Sequence, residues 1–130
     1  MTTELSYLTW TAVLAILLWL PYIGATVLKF GFLTAADYKE PSQKDLPPWI
    51  ARAHRAHLNA LENLPTFAVL VLVAHATGAN NETTATAAAV VFWARVVQTL
   101  VHMAGTPYLR TLVFAVGWMA QLTIAWQLLA

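Results

Sequence analysis

RAHRAHLNALENLPTF, residues 52–67, sets two arginines, two histidines, two asparagines and a glutamate directly ahead of the apolar run AVLVLVA at 68–74. On a helix, at 100° per residue, Arg52, Arg55, Asn59 and Glu62 follow an i, i+3, i+7, i+10 spacing and share one stripe about three turns long. His54 and His57 point elsewhere. The period is helical, and no period-two alternation of the kind membrane strands require is found along the chain. A polar helix face running straight into an apolar segment is the pattern of a membrane helix with something to hold at one end.

Composition agrees. The chain has 130 residues, 59% of them hydrophobic and 10% charged, and a mean hydropathy of +0.61. Soluble domains carry about 25% charged residues, and long apolar stretches with few charges mark bilayer spans. At about 20 residues per crossing the chain has room for four spans in a single domain, 1–130, and no soluble domain beside them. The net charge of +1 gives no reason to expect nucleic acid as a partner. With no cysteine, disulfides, thiolate metal sites and a cysteine nucleophile are excluded.

The spans are expected at about 5–28, 48–77, 83–104 and 107–129, an all-α integral membrane four-helix bundle. The N-terminal run lacks the positive charge of an export signal, since no Lys or Arg precedes Lys29, and is read as a retained first span. Pro21 should kink it, and Lys29 can snorkel to the interface. TAADYKEPSQKDLPP is the main loop, GANNE a tight turn, and Gly105 a helix stop, with Thr106 placed to cap the next helix and Pro107 at its first position. Lys29, Lys39, Lys44, Arg52 and Arg55 cluster around the first loop, Arg110 adds to the third, and the second turn has no basic residue. The positive-inside rule then puts the first and third loops in the cytoplasm and both termini on the other side.

The third helix repeats the polar device, with Arg95, Gln98 and His102 at i, i+3, i+7. Arg110 opens the fourth, with Phe114, Trp118 and Gln121 continuing roughly down its side. An arginine at the centre of a bilayer helix costs about 2.5–3.5 kcal/mol and usually faces the bundle interior or a wet cavity. One reading is purely structural: Arg55 or Arg95 pairs with Glu62 and locks helices together. The other starts from charge, because Arg55, Arg95 and Arg110 stand at similar expected depth against Glu62 as the one acidic residue of the second to fourth spans. A small anion held by guanidinium forks would balance the excess, with Asn59 supplying an amide and Glu62 accepting from an ammonium.

RAHLNALEN followed by Pro65 and Phe67, the third-helix arginine and the GTPYLRT opening of the fourth helix resemble the MAPEG family, the membrane-associated proteins in eicosanoid and glutathione metabolism. The likeness spans essentially the whole chain and points to a bacterial-type, microsomal glutathione transferase-like member. It implies a homotrimer of four-helix bundles in contact with membrane lipids, with glutathione or a similar anionic thiol as co-substrate between subunits near the cytoplasmic side. The second substrate would be a lipophilic electrophile or peroxide. Carried over residue by residue, Arg55, Asn59, Glu62 and Arg95 match glutathione-binding positions, and Arg110 matches the arginine that stabilises the thiolate. Lys29 stands near a basic position of the first helix. Where active relatives often carry a tyrosine, this chain has His102, which either assists the thiol or packs at an interface. Leu58, where some eicosanoid-forming relatives place another arginine, speaks against specialised eicosanoid chemistry.

Other readings weigh less. His54 and His57 with His102 could suggest a metal, but no carboxylate joins them, and no metal site is expected. The small residues of ATAAAVV, 85–91, suit close helix contact within a trimer. A non-catalytic MAPEG-fold scaffold or accessory subunit of a larger complex is the alternative to the enzyme. A transporter is disfavoured by the lack of an inverted repeat.

Because the chain is free of cysteine, its orientation can be read from single introduced thiols. Asn80→Cys should react with an impermeant maleimide added outside intact cells, and Ser42→Cys only after permeabilisation. The reverse pattern would invert the topology.

Overall fold

The structure, a computed structural model, describes residues 1–30 and 48–130, without the side chains of Tyr22, Thr26, Lys29 and Phe30. The first loop with Lys39 and Lys44, and the Lys29 side chain, therefore lie outside the described residues. The helices are α1 (Thr3–Leu17), α2 (Trp19–Phe30), α3 (Pro48–Thr77), α4 (Glu82–Ala104) and α5 (Pro107–Leu129). Among the described residues no strand is present, and four helical segments are long and apolar enough to cross a membrane: Thr3–Ala25, Pro48–Thr77, Glu82–Ala104 and Pro107–Leu129.

Local chemistry sets most of the ends. α1 and α2 are one span broken at Leu18, because Pro21 has no N–H for the Leu17 carbonyl and its ring presses on that group. α4 starts on a capping box that the sequence reading did not include: the Asn81 side chain accepts from Thr84 N, and Asn81 N donates to Thr84 Oγ1, each at 2.9 Å. α4 stops at Gly105, whose φ of 76° puts its N–H on Val101 O at 3.0 Å. α5 follows after Thr106, with Pro107 in its first turn. Thr106 holds the cap position, but its side chain makes no cap hydrogen bond, so the expected capping role is corrected.

α4 is the central helix. Half of its spanning window (50%) is buried, against 22% or less in the other three. It packs most extensively on α5, and also on α3 and α1. Phe67 and Val71 of α3, Ala87, Ala88 and Val91 of α4, and Ala120 and Ile124 of α5 form the apolar core. The alanines let the helix backbones approach. Ala87 and Ala88, from the small-residue run suited to close helix contact, lie in this core. Large apolar side chains such as Trp93, Leu100, Leu112 and Trp126 face outward, as lipid-facing positions do.

Hydroxyls within the spans bond locally. Thr11, Thr99 and Thr123 donate to carbonyls four residues earlier at 2.7–2.9 Å, so each polar group is satisfied without water. Glu4 is different. It lies in the first turn of α1, is only 3% exposed, and accepts from Thr84 Oγ1 at 2.6 Å. One hydroxyl has one proton, and the short contact to Glu4 takes it, while the Thr84 oxygen accepts from Asn81 N. This ties α1 to the start of α4.

Thr84→Val strands a buried acceptor and should lower stability in detergent by about 1–3 kcal/mol, read as a fall in the unfolding midpoint. Thr83→Val, at the exposed neighbour, should leave it unchanged.

Candidate functional site

The end of the bundle where α3 begins, α4 stops and α5 starts collects the cations. Arg52 and Arg55 stand in the first two turns of α3, His102 in the last turn of α4, and Arg110 at the fourth position of α5. Together with the Gly105–Pro107 turn they line a cavity of about 150 Å³. Arg55 and Arg110 are exposed in the single chain, and His102 is buried. His102 Nδ1 is buried without a hydrogen-bond partner. The N-terminal turn of α5, uncapped by Thr106, adds its free N–H groups to the positive side of this corner.

Arg52 is tied down. Its Nε donates to Met103 O at 2.9 Å, one of the C-terminal carbonyls of α4 that have no partner inside the helix. Its side chain crosses Gly105 so closely that a Cβ there would stand 3.1 Å from Cδ and Nε. Helical spacing puts Arg52 on the polar stripe but assigns it no part in the site. The αL glycine two residues after Met103 was the only available hint, since a glycine stop leaves space for another chain segment.

Arg95 does not join this cavity. It lies seven residues from His102 along α4, roughly 10 Å deeper at 1.5 Å per residue, which corrects the expected similar depth of the three arginines. It is 3% exposed. Nη1 donates to Gln98 Oε1 at 2.5 Å, the guanidinium carbon stands 5.6 Å from the centre of the Phe114 ring, and Nη2 is buried with no partner. Gly117 makes this possible, because a Cβ there would meet Nη2 at 3.3 Å. The cleft it shares with Asn59, Gln98, Thr99 and His102 has no room for a water molecule.

Asn59 and Glu62, on the same stripe as Arg55, face other surroundings. Asn59 accepts from Asn63 Nδ2 through both its backbone carbonyl, at 2.7 Å, and its side-chain oxygen, at 3.2 Å. Glu62 opens onto a separate hollow of about 560 Å³ between α3 and α5, beside Asn63, Thr66, Trp118 and Gln121. There Thr66 Oγ1 donates to Gln121 Oε1 at 2.8 Å. Among the described residues Glu62 pairs with no cation, so the helix-locking ion pair with Arg55 or Arg95 is not formed within the chain. A further hollow of about 800 Å³ is a mainly apolar groove between α4 and α5 with Glu82 at its rim. Its polar lining is limited to Glu82 and the hydroxyls of Thr83, Thr86 and Thr123, and no basic residue lines it.

In charge terms the corner is one-sided. Three arginines and His102 line a small space, and no carboxylate lines it among the described residues. Such a site favours an anion. At about 150 Å³ it is below the roughly 300 Å³ at which ligand pockets begin, so it fits one end of a larger molecule. A family model described as the MAPEG family matches residues 7–130. No curated protein and no solved structure matches the chain.

Gly105→Ala and Gly78→Ala both force alanine to a positive φ, 76° and 66°, but only Gly105 has neighbours within 4 Å. The left-handed backbone costs about 1–2 kcal/mol at either place. The unfolding midpoint should fall further for Gly105→Ala, and the difference reports crowding against Arg52.

Proposed function

Because this integral, multi-pass membrane protein belongs to the MAPEG family, we propose that it is a glutathione-dependent transferase or peroxidase acting on lipophilic electrophiles. The observation that carries the reading is the corner of Arg52, Arg55, His102 and Arg110, with its excess of positive charge and no carboxylate among the described residues. Glutathione brings two carboxylates, an amine and a thiol, and the polar groups of α3 meet that list. Arg55 and Asn59 take carboxylate and amide oxygens, and Glu62 takes the amine. Seven residues of helix separate Arg55 from Glu62, roughly 10 Å, close to the reach of three extended residues, also roughly 10 Å. One extended tripeptide can therefore engage both, although they line different hollows of a single chain.

Arg110 has the chemical task. A free thiol of pKa about 8.5 is mostly protonated at neutral pH, and the thiolate is the nucleophile. Lowering that pKa by about two units needs about 2.7 kcal/mol of preferential stabilisation. A guanidinium at hydrogen-bond distance in a partly dry site supplies energy of this order. His102, which lines the same cavity, would donate to the sulfur or relay its proton, in the position where relatives often use tyrosine. Arg95 acts at one remove in this scheme, as a buried charge that favours an anion nearby. The bilayer supplies the second substrate by dissolving it, so the protein's share is proximity.

The small cavity within one chain is the reason to propose a homotrimer, with a neighbouring subunit closing the site over Arg55 and Arg110. The basic residues around the first and third loops support a site at the cytoplasmic face with both termini opposite. The scaffold reading draws on one observation, the histidine where a tyrosine is usual. Binding separates the two, since a scaffold gives no heat with glutathione in calorimetry of the purified protein.

Arg110→Ala should leave the oligomer and its unfolding midpoint intact while turnover at pH 7 falls about 25-fold, because the thiolate fraction drops from about three-quarters to about 3% when the pKa returns from about 6.5 to about 8.5. Removing the cation raises the thiol pKa, so the alkaline rise of the rate profile should move to higher pH. Unchanged turnover would sink the assignment of Arg110.

A further inference from the structure

We propose that Arg52 is a positioning residue: by capping the last turn of α4 at Met103, it holds His102 and Arg110 on facing walls of the cation-lined cavity. The kinetic half of this rests on the role given to Arg110 above, and the structural half does not. Only Gly105 and Thr106 separate α4 from α5. Any rotation of that turn moves Arg110 relative to His102, eight residues before it. Glycine is the least restrained residue at such a place, and Thr106 adds no side-chain cap. The restraint comes from α3 instead. Arg52, 51 residues away in sequence from Met103, donates Nε–H to its carbonyl at 2.9 Å and fills the space over Gly105. A cation is well suited to a helix C-terminus, where the carbonyl ends carry partial negative charge. Arg52 makes this bond through Nε, so its charge and its donor can be tested apart.

Glutamine puts an amide N–H close to where arginine has Nε–H, without the charge. Lysine keeps the charge and puts a methylene there. In the purified full-length protein, Arg52→Gln should keep wild-type amide exchange over 103–110 and lower kcat by less than about tenfold, with the KM for glutathione rising because one cavity charge is removed. Arg52→Lys should speed that exchange and lower kcat on the order of 100-fold, as a small misplacement of a catalytic group does, with the KM for glutathione moving much less. The order Lys active and Gln inactive would make Arg52 a charge contact to the ligand and overturn the proposal. So would equal losses in both variants, or exchange that neither variant changes. A wild-type protein that neither binds nor turns over glutathione, with exchange still following the Gln-then-Lys order, would refute the glutathione reading and support the positioning role.

Discussion

A polar group enclosed by apolar helices and lipid has no water to fall back on, and leaving it unpaired costs several kcal/mol. The bundle is arranged around that constraint. Threonines return their hydroxyl protons to their own helix. Glu4 is admitted to the interior because Thr84 reaches it, and Thr84 is itself held by the capping box at Asn81. Arg95 is admitted because Gln98 accepts from it, Phe114 offers a ring face, and Gly117 omits the side chain that would occupy its place.

The same constraint divides the arginines into two kinds. Arg95 is enclosed and mostly satisfied within the chain, and no space beside it admits a ligand. Arg52, Arg55 and Arg110 gather where α3, α4 and α5 meet, around a small cavity with no acid among the described residues that line it. Charge that the chain does not neutralise has to be screened by solvent or by a bound anion. Arg52 belongs partly to each kind, since its Nε serves the backbone of α4 while its side chain lines the cavity. An anion site in which one cation also braces the frame couples the shape of the pocket to the packing of three helices.

Much of this was legible in the residues alone. Proline and glycine act on their own neighbours, so the break ahead of Pro21, the stop at Gly105 and the start at Pro107 could be read directly. Hydropathy and length were enough for four membrane helices without strands. The helical spacing of Arg52, Arg55, Asn59 and Glu62 correctly put them on one helix, but it carried no information about what stands opposite each turn. It therefore grouped Arg55 with Glu62, which open onto different hollows, and set Arg95 at the depth of Arg110. The cap at Asn81 was missed because its partner is a threonine rather than the glutamate or glutamine usually sought three residues on.

The sequence by itself determined the class of molecule, an all-helical membrane bundle with surplus cations along polar stripes, because apolar length, helical period and backbone-breaking residues are local properties. Only the tertiary structure decided which of those cations share a space, which one is sealed beneath Gly117, and that Arg52 holds the end of α4. Those outcomes depend on contacts between positions 51 and 80 residues apart. A helix fixes the direction of its own side chains, but which surface they meet is set by how neighbouring helices cross and how closely small residues let them approach.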